Sequence, residues 1–238
     1  MKSWREVDYD ALLRAEDEHV LFKRIAVAGK ELGYDYCSYG IKIPVPISRP
    51  AVAIFDTYPA GWMERYRSQG YLDVDPTVRH GASSNGPIIW GDDTFASARN
   101  LWDDARDCGL RVGWAQSARD VGGAFGLLSL SRGADPLTEK ELRDRHARMF
   151  WLVQSAHAGM SKLLTPKLVP EALVQLTPRE IEVLRWTAEG KTAFEIGRIL
   201  SISGRTVNFH VNNVCTKLKA TNKVQAAVKA ITLGLLNV

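Results

Sequence analysis

Two helix-start signals lie close together near the C-terminus and constrain that part of the chain to short helices. Thr177 is followed by a proline and by Glu180, and Thr192 is followed by Glu195. A threonine with a glutamate three residues later forms a capping box, and proline is favoured at the first position of a helix. The sequence therefore predicts two successive helices, the first of which ends at Gly190.

A third helix follows after a turn of three residues, 201–203. It is expected to start near Gly204 with Ser203 as its cap, and a fourth helix covers the segment NKVQAAVKAITLGLL. Four short helices with a tight turn between the second and the third are typical of helix-turn-helix DNA-binding domains.

The third helix has two faces that differ in chemistry. At 3.6 residues per turn, its apolar residues form one stripe that can pack on the other helices: Val207, Val211, Val214 and Leu218. Asn208 and Asn212 lie on the opposite side together with Arg205. Asparagine can bond base edges in the major groove, and arginine can bond phosphates or guanine. This face indicates a DNA-reading helix, with an ordinary exposed helix face as the alternative.

Charge is distributed unevenly along the 238 residues. From Leu176 onward there are nine Lys and Arg against four Asp and Glu, and no acid follows Glu195. The preceding part of the chain holds 22 bases and 23 acids. A near-neutral body with a basic C-terminal unit is the electrostatic pattern of a nucleic-acid-binding protein. A solvated basic surface would give the same counts.

Four motifs in the last 63 residues, TPRE-EVL, GKT--EI, RTV-FH and KL-A-NK-QA, closely resemble the LuxR-type DNA-binding domain. In such domains the third helix enters the major groove, so the resemblance implies that Asn208 and Asn212 face bases. Glu180 matches a position that is structural or contributes to DNA binding, and its capping box favours the structural role. The resemblance also implies that six residues lie near phosphates: Thr192, Arg205, Thr206, Lys217, Asn222 and Lys223.

Three prolines separate this unit from the rest of the chain: Pro166, Pro170 and Pro178. Proline lacks a backbone donor and restricts the residue before it, so a continuous helix is not expected here. The predicted organisation is a first domain over residues 1–165, a linker over 166–174 and a helix-turn-helix domain over 175–238.

The first domain mixes helices and strands. Helical apolar spacing runs through residues 10–33, with Gly33 as a stop, and a long helix opens at Thr138. Three short apolar segments bounded by glycine or proline are predicted strands: PAVAIFDTY, GPIIWG and AFGLLSLSR. Helices at both ends of a set of strands indicate helices packed on a sheet, and the expected fold class is α+β.

Several function classes lack their sequence signature. The acidic pair and strand-end aspartate of a phosphoreceiver are missing, as are a GxGxxG motif, a Walker loop and a GxSxG elbow. The three cysteines form no CxxC pair and the five histidines have no ligand spacing, so we expect no metal, no cofactor and no catalytic residues. No segment of the sequence reads as a membrane span or a secretory signal. The odd number and wide separation of the cysteines predict a reducing, cytoplasmic location.

Aromatic residues with polar handles concentrate in the segment FDTYPAGWMERYRSQGYLDVDPTV. Tyr58, Trp62, Tyr66 and Tyr71 lie close together and are followed by Asp75. Small-molecule pockets are mostly apolar with a few converging polar groups, and Tyr and Trp supply both qualities. On composition alone, an aromatic core is the more frequent explanation.

The pattern Y-x3-W-x3-Y, the Asp-Pro pair that follows and the segments IIWG and WDDARDCGLRVGWAQSARDVGGAFGLLSLS resemble the autoinducer-binding domain of LuxR-type quorum-sensing regulators. The resemblance covers most of residues 1–165. It implies an α/β/α sandwich with a central antiparallel sheet, which binds an N-acyl homoserine lactone between the sheet and the helices.

The same resemblance implies particular ligand contacts by position. The Trp62 N–H would bond the lactone carbonyl, and Asp75 would accept the ligand's amide N–H. Tyr58, together with Ser129, would donate to the amide carbonyl. Three further residues would wall the lactone and head group or face the acyl chain: Tyr66, Trp90 and Ser38.

The combined prediction is a ligand-responsive transcription factor that binds an N-acyl homoserine lactone and, as a homodimer, a two-fold site in double-stranded operator DNA. The helix through RMFWLVQSAHAGMSKLL is the candidate dimer surface, and RNA polymerase is a partner if the protein activates. Two alternatives remain open. One is an enzyme acting on acyl lactones, although the sequence shows no activated nucleophile. The other is a ligand-independent DNA-binding protein whose first domain only dimerises.

Overall fold

The computed structural model describes Leu12, residues 14–120 and residues 122–236. The chain divides into two compact units, and the second contains the chain from Thr165 onward together with two short segments of the preceding chain. Across the described residues, the helices include none with the length and apolar character needed to cross a membrane.

The first unit is a five-stranded sheet with helices on both faces, which confirms the predicted sandwich. Its strands are β1 (Tyr36–Ile43), β2 (Ala51–Asp56), β3 (Ile88–Ile89), β4 (Val112–Arg119) and β5 (Phe125–Arg132). They lie in the order β2-β1-β5-β4-β3, and the pairs β1–β5, β5–β4 and β4–β3 are antiparallel. The helices are α1 (Glu18–Glu31), α2 (Trp62–Ser68), α3 (Pro76–Ser83), α4 (Arg99–Asp107) and α5 (Glu139–Leu168).

Close contacts define the three layers of this sandwich. A Cβ atom at Gly29 of α1 would lie 2.9 Å from a leucine side chain of β5, so α1 packs tightly on one face of the sheet. On the same face, the Tyr39 hydroxyl of β1 hydrogen-bonds Nδ1 of His157 in α5 at 2.9 Å. On the opposite face, α3 comes so close that a Cβ atom at Gly81 would lie 3.0 Å from the Phe125 ring.

Two helix boundaries in the first unit differ from the sequence prediction. α1 begins at Glu18 because the Asp17 side chain accepts hydrogen bonds from two backbone N–H groups of its first turn, both at 2.9 Å. The preceding residues 14–17 are not helical, and residues 10, 11 and 13 lie outside the described residues. α5 continues past Pro166 to Leu168, contrary to the expected break. The proline lies in the last turn, where its missing N–H removes a single hydrogen bond from a long, well-buried helix.

The second unit has the four predicted helices, preceded by a short 3-10 helix at Pro170–Leu173: α6 (Pro178–Ala188), α7 (Ala193–Leu200), α8 (Gly204–Lys217) and α9 (Lys223–Thr232). Both capping boxes are present, with Thr177 paired to Glu180 and Thr192 paired to Glu195. Ser203 caps α8 by accepting a hydrogen bond from the backbone of its first turn. The structure therefore confirms the predicted caps. They could be predicted because each depends on residues no more than three positions apart in the sequence.

The turn between α7 and α8 depends on close backbone approach at Gly197. The backbone N–H of Ile202 donates to the Gly197 carbonyl at 2.9 Å, and Ser201 adopts the left-handed conformation with a φ of 54°. A Cβ atom at Gly197 would lie only 2.6 Å from the Ile202 carbonyl oxygen. Any side chain at this position would therefore push α8 away from α7.

We predict that Gly197→Ala destabilises the second unit by about 2 kcal/mol, because the added methyl group overlaps backbone that cannot move without opening the turn. The matched control is Gly204→Ala, since a Cβ atom there would make only ordinary contacts, the nearest at 3.7 Å. Thermal unfolding of the full-length protein checks this. Equal melting temperatures for the two variants would contradict the role of Gly197.

Candidate functional site

Aromatic side chains from α2, α4 and the segments beside them form one cluster in the first unit. Its largest buried members are Trp62, Tyr66, Tyr71, Phe95 and Trp102, and Tyr58 and Trp90 are partly buried against them. The Trp62 ring centroid lies 5.9 Å from that of Tyr66, and the Phe95 and Trp102 rings stack at 4.7 Å. The cluster brings together four of the aromatic residues that the sequence assigned to a ligand.

The sheet presents small and hydroxyl-bearing residues on the side of this cluster. Ser38 of β1 lies directly opposite Ser129 of β5, and the next serine of β5, Ser131, lies opposite Gly113 of β4. Trp90 lies flat on Gly113, because a Cβ atom at that glycine would overlap the indole ring. Facing residues of antiparallel neighbours share one side of a sheet, so both serines of β5 point toward the aromatic cluster.

Asp75 holds a buried carboxylate at the edge of the cluster. It is 9% exposed and caps α3. Its Oδ1 accepts hydrogen bonds from the Thr77 backbone N–H at 2.8 Å and from the Thr77 hydroxyl at 2.7 Å, and its Oδ2 accepts one from the Tyr66 hydroxyl at 2.9 Å. A carboxylate has about four acceptor positions. Among the described residues only Tyr66 donates to Oδ2 within hydrogen-bond distance, so Oδ2 is the oxygen that can accept a further hydrogen bond.

The surroundings of Asp75 change the acidity of the groups in the site. Burial raises the pKa of Asp75 above its ordinary value, although the hydrogen bonds from Thr77 and Tyr66 act in the opposite direction. Burial also raises the pKa of Tyr66 and of Tyr58, and the nearby Asp75 charge adds to both increases. A side-chain hydrogen bond from Ser38 moderates the increase for Tyr58. Both tyrosines therefore keep their protons and can act as donors.

Two buried polar atoms on this side of the sheet have no hydrogen-bond partner in the described part of the chain. They are Nε1 of Trp90 and Oγ of Ser131. A buried polar group without a partner costs about 1–3 kcal/mol, so such groups call for an explanation. A polar group held between the sheet and the aromatic cluster would be a partner for the Ser131 hydroxyl.

The structure brings the predicted ligand-binding residues to one region. Tyr66 donates a hydrogen bond to Asp75, and Tyr58, Trp62 and Trp90 belong to the same cluster. Ser129 lies on the facing side of the sheet through its register with Ser38. The sequence analysis missed Thr77 and Ser131. The alternation of serines at 129 and 131 was the available signal for Ser131, because alternate residues of a strand share a face.

α8 presents the predicted DNA-reading surface of the second unit. Val207 and Val214 are buried, whereas Arg205, Asn208 and Asn212 are exposed. The residues predicted near phosphates are placed as follows: Thr192 caps α7, Thr206 bonds the Ser203 hydroxyl at 2.8 Å, Asn222 caps α9, and Lys223 is exposed in its first turn.

Lys217 has a partner within the protein that the sequence analysis did not foresee. Its ammonium lies 2.7 Å from Oε2 of Glu180, a residue only 3% exposed, and also donates to the Gln175 carbonyl at 3.2 Å. Burial alone would raise the pKa of Glu180, but the hydrogen bonds from Lys217 and from the Thr177 backbone lower it below its ordinary value. This ion pair ties the end of α8 to the start of α6.

Lys229 also stabilises the end of α8. It is buried, and its ammonium donates to the Leu218 carbonyl at 2.9 Å and to the Lys219 carbonyl at 3.2 Å. Oε1 of Glu171, from the 3-10 helix before α6, lies 3.1 Å from the same ammonium group. The last carbonyls of a helix lack intrahelical partners, and a cation there is favourable. No group of three His, Cys, Asp or Glu among the described residues could hold a metal ion.

Comparison with known proteins agrees with both halves of this description. Residues 17–160 match the protein family described as "Autoinducer binding domain", and residues 174–230 match the family described as "Bacterial regulatory proteins, luxR family". The chain is 60% identical over 228 residues to the transcriptional activator protein SolR of Ralstonia nicotianae, which covers 96% of this chain and 97% of that one. It is 42% identical over 238 residues to the transcriptional activator protein AnoR of Acinetobacter nosocomialis, with coverage of 99% and 100%.

The fold is also that of a solved relative. The crystal structure of Escherichia coli SdiA is 37% identical, superposes with a TM-score of 0.88, and covers 99% of this chain and 98% of that one. The chain therefore belongs to the LuxR family of bacterial regulatory proteins. It is a quorum-sensing transcription regulator with an autoinducer-binding domain followed by a helix-turn-helix DNA-binding domain, and it is not an enzyme.

We predict that Glu180→Gln lowers the stability of the full-length protein at neutral pH by about 2 kcal/mol, because Lys217 loses its buried counter-charge. A carboxyl group whose pKa is lowered on folding contributes stability above its unfolded pKa of about 4.3 and loses it as the pH falls through the folded pKa. Thermal unfolding between about pH 6 and about pH 3 should therefore be less pH-dependent in Glu180→Gln than in the wild type.

The matched control for this prediction is Glu182→Gln on the same helix. Glu182 pairs with Arg179 at 2.7 Å but is half-exposed, and exposed pairs contribute at most about 1 kcal/mol. A wild-type pH profile in Glu180→Gln would contradict the assignment of the buried pair.

Proposed function

We propose that the autoinducer of this protein is an N-acyl homoserine lactone, and that the loaded protein binds a two-fold DNA operator as a homodimer. The observation that carries the ligand assignment is the buried carboxylate of Asp75, whose Oδ2 retains acceptor capacity beside an aromatic cluster. Such an oxygen accepts from an N–H or an O–H donor, an amide N–H is a donor of this kind, and a lactone ring fits between aromatic walls.

Each polar group of an acyl homoserine lactone has a candidate partner in this site. Asp75 accepts the amide N–H, the Trp62 indole N–H donates to the lactone carbonyl, and Tyr58 donates to the amide carbonyl. Ser129 and the unpartnered hydroxyl of Ser131 are the candidates for a second donor to that carbonyl. Tyr66 and Trp90 wall the ring, and Ser38 lies on the ligand side through its register with Ser129. Burial of the acyl chain adds about 0.8 kcal/mol per methylene group.

An acylglycerol is the second candidate ligand class. A structure titled "SdiA in complex with octanoyl-rac-glycerol" is 37% identical to this chain with a TM-score of 0.86. An acylglycerol has an ester in place of the amide, so only its glycerol hydroxyls could donate to Asp75. The amide of a homoserine lactone matches the single acceptor and several donors of this site more closely.

The proposed homodimer rests on exposed apolar side chains along α5. Phe150 and Trp151 are adjacent on this helix, and Trp151 is 49% exposed. Val224 and Ile231, two turns apart on α9, are also exposed and could extend the contact to the second unit. A symmetric dimer would place two copies of α8 on half-sites about one DNA turn apart, or a multiple of it. We further propose a cytoplasmic location and, if the protein activates transcription, contact with RNA polymerase.

The test of the ligand assignment uses two substitutions at Asp75. N-butanoyl-, N-octanoyl- and N-dodecanoyl-homoserine lactone are added to the wild type, and thermal stability and DNA binding are measured together. A ligand that binds only the folded state must raise its stability, so we expect one lactone to raise both quantities. We expect Asp75→Asn to need at least about tenfold more lactone for the same response, with little change in the ligand-free melting temperature, because asparagine caps helices as well as aspartate does.

Asp75→Ala is the matched variant, which should also lose about 1 kcal/mol of stability together with the cap. A full lactone response in Asp75→Asn would contradict the assignment of the amide contact. DNA binding that ignores every lactone, with no change in stability, would support a ligand-independent DNA-binding protein. A response to octanoylglycerol alone would favour the second ligand class.

The DNA assignment separates base contacts from phosphate contacts. We expect Asn208→Ala to reduce discrimination between operator sequences, since an asparagine paired with adenine contributes about 1–3 kcal/mol of discrimination. Lys223→Ala should weaken binding to all sequences alike and reduce the slope of log affinity against log salt by about 1. Titrations of specific and random duplexes at several salt concentrations check both. Identical behaviour of the two variants would show that this separation is wrong.

A further inference from the structure

One exposed side chain on α8 is not explained by packing or by the polar contacts proposed so far. Phe209 is 60% exposed and belongs to neither hydrophobic cluster of the second unit. The buried contacts of α8 are made by Val207 and Val214. A large aromatic ring left in water contributes little to stability, since the hydrophobic effect rewards burial.

The neighbours of Phe209 place it within the DNA-reading face. Arg205 precedes it by four residues and Asn212 follows it by three, and residues at these spacings share one face of a helix. Both neighbours are exposed. The ring also meets His210 edge-on, with centroids 5.5 Å apart. α8 contains no acidic residue, so the formal charges on its surface are all positive. The apolar ring of Phe209 lies at the centre of this polar surface.

We propose that Phe209 is a specificity-determining residue that packs its ring against the C5-methyl group of a thymine in the major groove. Thymine is the base that carries a methyl group in that groove, and apolar contact with a phenylalanine is a known means of reading it. The neighbouring asparagines favour adenine, so the three residues together would read a step rich in A·T pairs. This inference rests on the proposed function, because it requires α8 to enter the major groove.

Replacement of single thymines by uracil tests the contact, since uracil differs from thymine only by the absent methyl group. The full-length protein, mixed with the butanoyl, octanoyl and dodecanoyl lactones, first enriches duplexes from a random library. Each thymine of the enriched site is then replaced in turn. For the wild type we expect one position in each half-site at which uracil weakens binding about fourfold, the effect of one buried methyl group. For Phe209→Ala we expect no uracil effect at that position.

Phe194→Ala is the matched control, because Phe194 is a phenylalanine on α7 that is even more exposed than Phe209. This variant should keep the uracil effect whatever its overall affinity. Phe209→Ala should keep the wild-type salt dependence, because the ring contacts no phosphate. If Phe209→Ala fails to fold, Phe209→Ser replaces it and should likewise lose the uracil effect. An enriched duplex that shows no uracil effect with the wild type overturns the inference and leaves operator binding intact. The same conclusion follows if Phe209→Ala retains the effect. Failure to enrich any duplex contradicts operator binding itself, and the inference with it.

Discussion

The buried carboxylate of Asp75 is the interaction on which the ligand-binding region depends. It caps α3 through Thr77 and holds the Tyr66 hydroxyl of α2, so one side chain joins two helices that cover the sheet. Burial of a charge is costly unless donors surround it. Oδ1 has two donors and Oδ2 has one. The same group therefore stabilises the local structure and keeps an acceptor for a ligand. On the facing side of the site, Nε1 of Trp90 and Oγ of Ser131 have no hydrogen-bond partner among the residues that the structure describes.

Buried charges in the second unit serve the geometry of α8. Glu180 binds Lys217 near the end of this helix. Lys229 binds Glu171 and the carbonyl groups of Leu218 and Lys219, the two residues that follow the helix. Glu180 and Glu171 are thus used inside the domain, and Glu195 is engaged in a capping box. The surface of α8 is left without acidic groups, which suits a polyanionic partner. Because Lys217 already binds Glu180, this lysine has a competing partner inside the protein when a phosphate approaches.

Local signals predicted the second unit well, whereas long-range contacts in both units were beyond sequence reasoning. The capping pairs Thr177–Glu180 and Thr192–Glu195 are complete within four residues, so their helices were predicted at the right positions. β1 and β4 were missed because they are buried on both faces and show no alternation of polar and apolar residues. Without them, the register that brings Ser131 to the ligand side could not be derived. The partner of Lys217 is equally distant in sequence. The residue assignments for ligand and DNA remain predictions.

The central claim is that the Asp75 carboxylate recognises an amide N–H of the signal. Calorimetric titration with two matched ligands tests it directly: the acyl homoserine lactone that gives the largest thermal shift, and its isostere in which an ester oxygen replaces the amide N–H. The account predicts that the ester binds at least about tenfold more weakly to the wild type, since a hydrogen bond to a charged group contributes about 1.5–3 kcal/mol. It also predicts that Asp75→Asn removes most of this difference. Equal affinity of the two ligands for the wild type would contradict it.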